Sequence, residues 1–369
     1  MGTNDRPIIL GLVTDPDLPR RVADRLAEEL PRRYTDAQIT VEVVCDEVTA
    51  GLHSAGKILD ATRERRRDGG WDYAICLTDL PVRHRDRPVL AHADVRGRVG
   101  VVSLPALGGM QPFRRAGQIV RQLLDELAAP EGEPAGGEAR ARHMHGLGSP
   151  LTHLLVPIRR EAADNETDVG VRYSTTRVRG RLRLVSGMVR TNRPWRLVFG
   201  LSSAFAAAVA TSVFGLTSST VWQIGDQLGT GRHIVAAVVS VGLLVFWLVA
   251  AHSLWERPGP DGVPDREQAW LYNASTILTL LLGVGFLYAI LFVVNLGVAA
   301  FLVPEAFLSS TLGHPVGWTA YLTLSWGFTT MGIVAGALGS SLESDEAVRQ
   351  AAYGYREQQR RRAHSAEKS

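Results

Sequence analysis

From Leu197 onward the chain carries four apolar runs, at roughly 197–217, 233–254, 271–303 and 317–339. Each reaches the roughly 20 residues that a helix needs to cross the hydrocarbon layer, and none has Asp, Glu, Lys or Arg in its middle. No other feature narrows the fold so far. The runs predict an all-α domain of four transmembrane helices over 197–339. Small and neutral polar residues punctuate them. Gly332 and Gly336 form a Gly-x-x-x-Gly pair, and Ala204, Ala208 and Ser212 make a small-residue stripe. Such positions let helices approach closely, either within the bundle or between copies as a homo-oligomer. Asn273, Asn295 and Thr323 are placed to hydrogen-bond across helices or to line a path, and Glu305 falls just past the third run.

Orientation follows from the basic residues of the short flanks. The segment before the first run, Arg172 to Arg196, holds eight arginines and no acid. The tail 340–369 holds six basic residues (Arg349, Arg356, Arg360, Arg361, Arg362 and Lys368). The middle loop has Arg257 and Arg266, and the other two loops have only Arg232. A multi-pass protein of the cell membrane is expected, with both termini and the middle loop in the cytosol and a basic tail over 340–369.

The arginine-rich segment 171–196 reads as an amphipathic helix at the membrane surface. Val178, Leu182, Val185 and Val189 share a stripe, with Leu184 and Met188 beside it. Arg177, Arg179, Arg181, Arg183, Arg190 and Arg193 are expected to contact anionic lipid headgroups, with Trp195 as an interfacial anchor. Nucleic acid is not the expected partner, because the run abuts a membrane segment and has no aromatics between Tyr173 and Trp195.

Residues 1–130 read differently, as a cytosolic α/β domain. Short β-rich runs ("PIILGLVTD", "QITVEVVCDEV", "WDYAICLTDLP", "GRVGVVSLPAL") alternate with amphipathic ones. Leu18, Val22, Leu26 and Leu30 form one stripe, Ser54 is a cap for the second helix, and Gly69-Gly70 closes it. Strands alternating with helices indicate βαβ units and a largely parallel sheet with helices on both faces. The opening "MGTNDRPIILGLVTD" lacks a basic region followed by a long apolar core, so it is not a secretory signal. Cys45 and Cys76 lie in apolar strands and are expected to be buried and inert. Residues 131–170, with "APEGEPAGGEAR" and the loose histidines His143, His145 and His153, read as a flexible linker.

Ligands of parallel sheets sit beyond the carboxyl ends of the strands. Those ends are Thr14-Asp15, Asp46-Glu47, Thr78-Asp79 and Ser103. Asp15, Asp46, Asp79, Thr78 and Ser103 therefore form a candidate ligand or metal edge. The plainer reading is that Asp and Thr terminate strands by bonding nearby backbone N–H groups. There is no Gly-x-Gly-x-x-Gly, no Gly-Lys-Ser/Thr phosphate loop and no Gly-x-Ser-x-Gly elbow, so the motifs point to no catalytic residue, no metal ligand set and no particular cofactor.

The stretches "CLTDLPVRHRDRPVLAHAD" and "VGVVSLPAL" resemble the strands that precede the catalytic helix in archaemetzincin-type zinc peptidases. That resemblance implies a related scaffold without the metal, because the corresponding helix "RRAGQIVRQLLDEL" has no histidine and the zinc site needs His-Glu-x-x-His. Through "CLTDLPVR", "SLPALGG" and "MVRTNRPWRL" the whole chain resembles uncharacterised four-helix membrane proteins of high-GC, actinobacterial-type bacteria. Three functions are open at this point. The leading one is a non-enzymatic membrane protein whose cytosolic domain binds a small ligand or a protein at the inner leaflet. The others are a membrane-anchored, metal-dependent hydrolase using the acidic edge, and a small transporter.

Overall fold

The computed structural model describes residues 7–34, 38–46, 55–84, 87–128, 159–162, 171–174, 177–258, 266–345 and 348–349. The chain divides at Thr191 into two compact units.

In the first unit, β1 (Ile8–Thr14), β2 (Ile39–Cys45), β3 (Tyr73–Thr78) and β6 (Val99–Ser103) pair in parallel in the order β2-β1-β3-β6. Helices α1 (Leu18–Arg33), α2 (Ala55–Asp68) and α3 (Pro112–Leu127) connect or follow them. Side chains alternate between the faces of a strand, and the core divides accordingly. Val13, Ala74, Cys76, Val99 and Val101 pack with Ile58 and Leu59 of α2. On the opposite face, Gly100 lies against Leu123 of α3, and Gly117 of α3 against Leu26 of α1. Helices thus cover both faces of the parallel block.

The parallel pattern stops at β6. Strand β5 (Arg87–Asp94) runs antiparallel to β6, and the two-residue β4 (Arg83–His84) runs antiparallel to β5. Two further antiparallel strands, β7 (Arg159–Ala162) and β8 (Val171–Ser174), complete an eight-stranded sheet beside β5. Strand β7 lies inside the span read as a linker, and β8 inside the span read as a juxtamembrane helix. The physical reason is that β5 would otherwise present an open edge. The histidines His143, His145 and His153, together with Ser54 and Glu47, lie outside the described residues.

Tyr34 ends α1 and joins it to α3. Its N–H donates to Leu30 O at 3.2 Å, and its hydroxyl donates to Asp125 Oδ1 at 3.4 Å. Burial, reinforced by the Asp125 charge, pushes the phenol from 10.0 up to about 12. The folded state then holds the proton more tightly than the unfolded chain, so stability is complete below pH 10.0 and declines as pH rises towards about 12. Tyr34→Phe is expected to flatten that decline in denaturant titrations of the first unit. An unchanged slope would remove Tyr34 from the account.

Helix α4 (Arg177–Asn192) follows β8. It docks on the turn after β6, where Pro105–Leu107 form a 3-10 turn. A Cβ on Gly187 would lie 2.1 Å from Pro105 O, and Gly109 N–H donates to Ser186 Oγ at 3.3 Å. Only glycine permits that approach. Among the residues of α4 whose burial is described, Gly180, Leu184, Val185, Gly187, Met188, Val189 and Asn192 are buried, whereas Leu182 is 69% exposed. Val185 and Val189 of the expected stripe are buried together with Leu184 and Met188 beside it, and Leu182 is the stripe residue that faces outwards.

The second unit is helical. After a 3-10 turn at Pro194–Arg196 come α5 (Leu197–Gly200), α6 (Ser202–Leu216), α7 (Ser219–Gln227), α8 (Thr230–Ala251), α9 (Arg266–Leu302), α10 (Glu305–Leu312) and α11 (Trp318–Gly339). Helices α8, α9 and α11, the last continued to Leu342, are long and apolar enough to cross a membrane. At 1.5 Å per residue α9 is about 55 Å long, well beyond the hydrocarbon thickness. The first expected span is not one straight helix: 180–200 and 202–216 meet at a 53° bend. Leu197, Leu244, Leu248, Leu280, Leu287 and Ile333 anchor the bundle core, while Phe214, Phe246, Val293 and Phe301 point outwards.

Candidate functional site

The connection from β1 through α1 leads to β2 on one side, and the connection from β2 through α2 returns across β1 to β3 on the other. The chain therefore changes direction between β1 and β3. At such a switch point the loops diverge, and ligands of open α/β sheets bind beyond the strand ends there. Register places Thr14 beside Cys45 and Leu77, and Thr78 beside Ser103. The carboxyl ends of β2, β1, β3 and β6 are thus adjacent, as the alternation of elements implies.

Thr14, Asp15, Thr78, Asp79 and Ser103 are all buried there. Asp15 is the organising group. Its Oδ2 accepts a hydrogen bond from Thr78 Oγ1 at 2.8 Å and another from the Asp79 N–H at 3.2 Å. The Asp15 N–H donates to Leu77 O at 3.2 Å. Thr78 Oγ1 in turn accepts from the Leu80 N–H at 3.0 Å. Ser103 Oγ donates to Leu80 O at 2.7 Å and accepts from the Val82 N–H at 3.4 Å. The "TDLP" turn is therefore pinned by hydroxyl and carboxylate groups from three strands. Asp46 stands apart from this cluster. Its N–H donates to Thr14 O at 3.1 Å, and its carboxylate pairs with Arg65 of α2 at 2.5 Å. Thr14 Oγ1 is fully buried with no hydrogen-bond partner among the described residues, a costly state for a hydroxyl.

Chemically the cluster is a buried hydroxyl–carboxylate network tied to the backbone of the TDLP turn. No group of three or more His, Cys, Asp or Glu is arranged to hold a metal ion among the described residues. Cys76 does not supply a nucleophile, since burial, reinforced by the Asp15 charge, holds its thiol well above the ordinary range. Cys45, expected to be buried, is exposed, because it ends β2, the outer strand of the parallel block.

The arginines read as headgroup contacts are dispersed. Arg177 and Arg179 are on the first turn of α4, and Arg181 and Arg183 are half-buried on the next. Arg183 Nε donates to Leu107 O at 3.0 Å, and Arg190 Nη1 to Gly109 O at 2.8 Å, so both engage the turn of the α/β unit. Arg193 and Trp195 fall in the second unit, Arg193 with a left-handed backbone (φ 52°) and Trp195 half exposed. In the bundle, Cβ atoms on Gly332 and Gly336 would lie 2.9 Å from Ala208 O and 3.1 Å from Ala204 O. The Gly-x-x-x-Gly face thus meets the Ala204–Ala208–Ser212 stripe of the same chain. Asn295 Nδ2 donates to Ser212 Oγ at 3.2 Å and Thr329 Oγ1 at 3.0 Å. Asn273 binds both backbone groups of Glu256, and among the described residues Thr323 bonds only its own helix, at Thr319 O.

Arg115 of α3 was missed in the sequence. Its Nη1 donates to Leu107 O at 2.6 Å. The available signal was the Gly108-Gly109 pair three residues before α3, since adjacent glycines mark a turn around which long side chains can close.

No protein-family model, curated protein or solved structure matches the chain.

Proposed function

We propose that the chain is a four-span protein of the cell membrane whose α/β unit is a non-enzymatic binding module for a small polar ligand at the inner leaflet. The observation that carries this reading is the buried polar cluster at the β1/β3 switch point. The Asp15 carboxylate oxygen Oδ2 is held by the Thr78 hydroxyl and the Asp79 N–H, an arrangement that suits recognition of a polar ligand. The orphaned Thr14 hydroxyl is the group a ligand would satisfy. The 197–217 run, broken at Leu201 between α5 and α6, supplies the fourth crossing, and the arginine counts put both termini and the 255–270 loop in the cytosol.

Two experiments test this. In thermal-shift titrations of the full chain in detergent against nucleotides, divalent cations and polar metabolites, one ligand is expected to raise Tm, with the gain lost in Thr14→Val. No shift across the panel, or turnover of the bound compound, would overturn the binding reading. For topology, exposed Cys45 and buried Cys76 make a native probe. A membrane-impermeant maleimide is expected to leave intact cells unlabelled and to label Cys45 after permeabilisation. Labelling of intact cells that disappears in Cys45→Ser would reverse the orientation.

A further inference from the structure

We propose that Arg115, Arg183 and Arg190 form a phosphate-binding cradle around the Gly108-Gly109 turn. The three side chains come from two helices, α3 and α4, yet converge on three residues of backbone. Arg115 Nη1 and Arg183 Nε donate to the same oxygen, Leu107 O, at 2.6 and 3.0 Å. Arg190 Nη1 donates to Gly109 O at 2.8 Å. Gly108 between them has φ 86°, and a Cβ there would lie 2.9 Å from Arg183 Cγ and 3.3 Å from Arg115 Nη1. The turn is moulded against both guanidinium side chains.

What the cradle lacks is a counter-charge. Among the described residues each of the three arginines bonds only to a carbonyl, and no carboxylate pairs with any of them. A guanidinium has five N–H donors, so most donor capacity here is unspent, and two like charges on one carbonyl repel each other. Burial holds the Arg115 guanidinium below its ordinary range. The first turn of α3, which begins at Pro112, has no side-chain cap and adds partial positive charge nearby. A tetrahedral dianion or monoester answers all of these at once. It accepts forked hydrogen bonds from arginine and neutralises the pair. The ligand class is therefore a phosphate group, carried either by an anionic phospholipid headgroup or by a soluble phosphoester. This site is separate from the strand-end cluster and does not rest on the binding function proposed for it.

Hydrogen exchange of the full chain tests the cradle. One arm, in zwitterionic detergent, compares inorganic phosphate with chloride at matched ionic strength. The other compares phosphatidylcholine nanodiscs with and without phosphatidylglycerol. Amides of 107–110 and 183–190 are expected to exchange about tenfold more slowly at phosphate about ten times its Kd. Protection by inorganic phosphate identifies a soluble phosphoester as the source, and protection by phosphatidylglycerol alone identifies the lipid headgroup. Arg115→Gln is expected to abolish the effect and Arg115→Lys to keep part of it, with exchange in β1 and β3 reporting that the unit remains folded. Wild-type exchange that is indifferent to phosphate and to phosphatidylglycerol, or equally slowed by chloride, would overturn the proposal whatever the variants do.

Discussion

Gly187→Val is expected to undock α4 from the α/β unit. The first atom of the new side chain would fall 2.1 Å from Pro105 O and 2.7 Å from Pro105 C and Cα. All three are backbone atoms of a buried turn, so no rotamer change relieves the overlap, and the helix must move. Overpacking of this kind costs about 1–3 kcal/mol. Here it also breaks the Gly109–Ser186, Arg183–Leu107 and Arg190–Gly109 hydrogen bonds, at about 1 kcal/mol each. A combined loss of about 4–6 kcal/mol raises the population of the undocked helix on the order of a thousandfold or more. Limited trypsin digestion reads this directly, because Arg181, Arg183 and Arg190 are cleavage sites on α4. Cleavage there is expected to accelerate by that factor while cleavage in α2 stays constant. An unchanged rate at all three arginines would mean that the helix is not held by this contact.

Asp15→Ala is expected to destabilise the first unit by about 2–6 kcal/mol, because it strands the Thr78 hydroxyl and the Asp79 N–H without an acceptor and each buried orphan costs about 1–3 kcal/mol. For a domain of ordinary stability, about 5–15 kcal/mol, that is a large fraction. Both hydrogen bonds end on the single oxygen Oδ2, so an amide oxygen can take its place. Asp15→Asn should therefore retain more than half of the lost stability. Denaturant midpoints followed by hydrogen exchange in β1 and β3 separate the two variants. Equal losses from Ala and Asn would show that the carboxylate charge, not acceptor geometry, matters at this edge.

Much of this arrangement can be read from residue patterns. The apolar–Thr-Asp–Pro pattern occurs at both Thr14-Asp15 and Thr78-Asp79 because β1 and β3 are adjacent parallel strands that end at the same level. Three of the four apolar runs are equally legible as helices long and apolar enough to cross a bilayer, whereas the first is broken at Leu201. The plainer reading of Asp15, a side chain that satisfies backbone at a strand end, accounts for the bond from the Asp79 N–H, and the Thr78 hydroxyl adds a side-chain bond across the strands. What stayed hidden depends on partners distant in sequence. Strands β7 and β8 have four residues each, too few for a period, and exist because β5 offers an edge. Among the described residues of the expected stripe on α4, only Leu182 turns outwards, because the close approach of Gly187 to Pro105 sets which side is buried. Arg183 is amphipathic by spacing, but its guanidinium is claimed by a carbonyl 76 residues earlier. Cys45 escapes burial because β2 has a neighbour on one side only.

The segment following α11 extends the bundle further along the chain than hydropathy suggests. After the 3-10 turn at Ser340–Leu342, Glu343 Oε1 accepts from the Ser203 N–H at 2.5 Å, at the otherwise uncapped start of α6. Asp345 Oδ1 meets His252 Nδ1 at 2.7 Å, Val348 is buried in the bundle core, and Arg349 donates to His252 O at 3.2 Å. These bonds tie the first and second apolar segments together from the far end of the chain. A truncation for expression that stops where the apolar residues stop, near Gly339, would remove the latch along with the charged tail. The C-terminal boundary of a minimal folded bundle lies beyond Arg349.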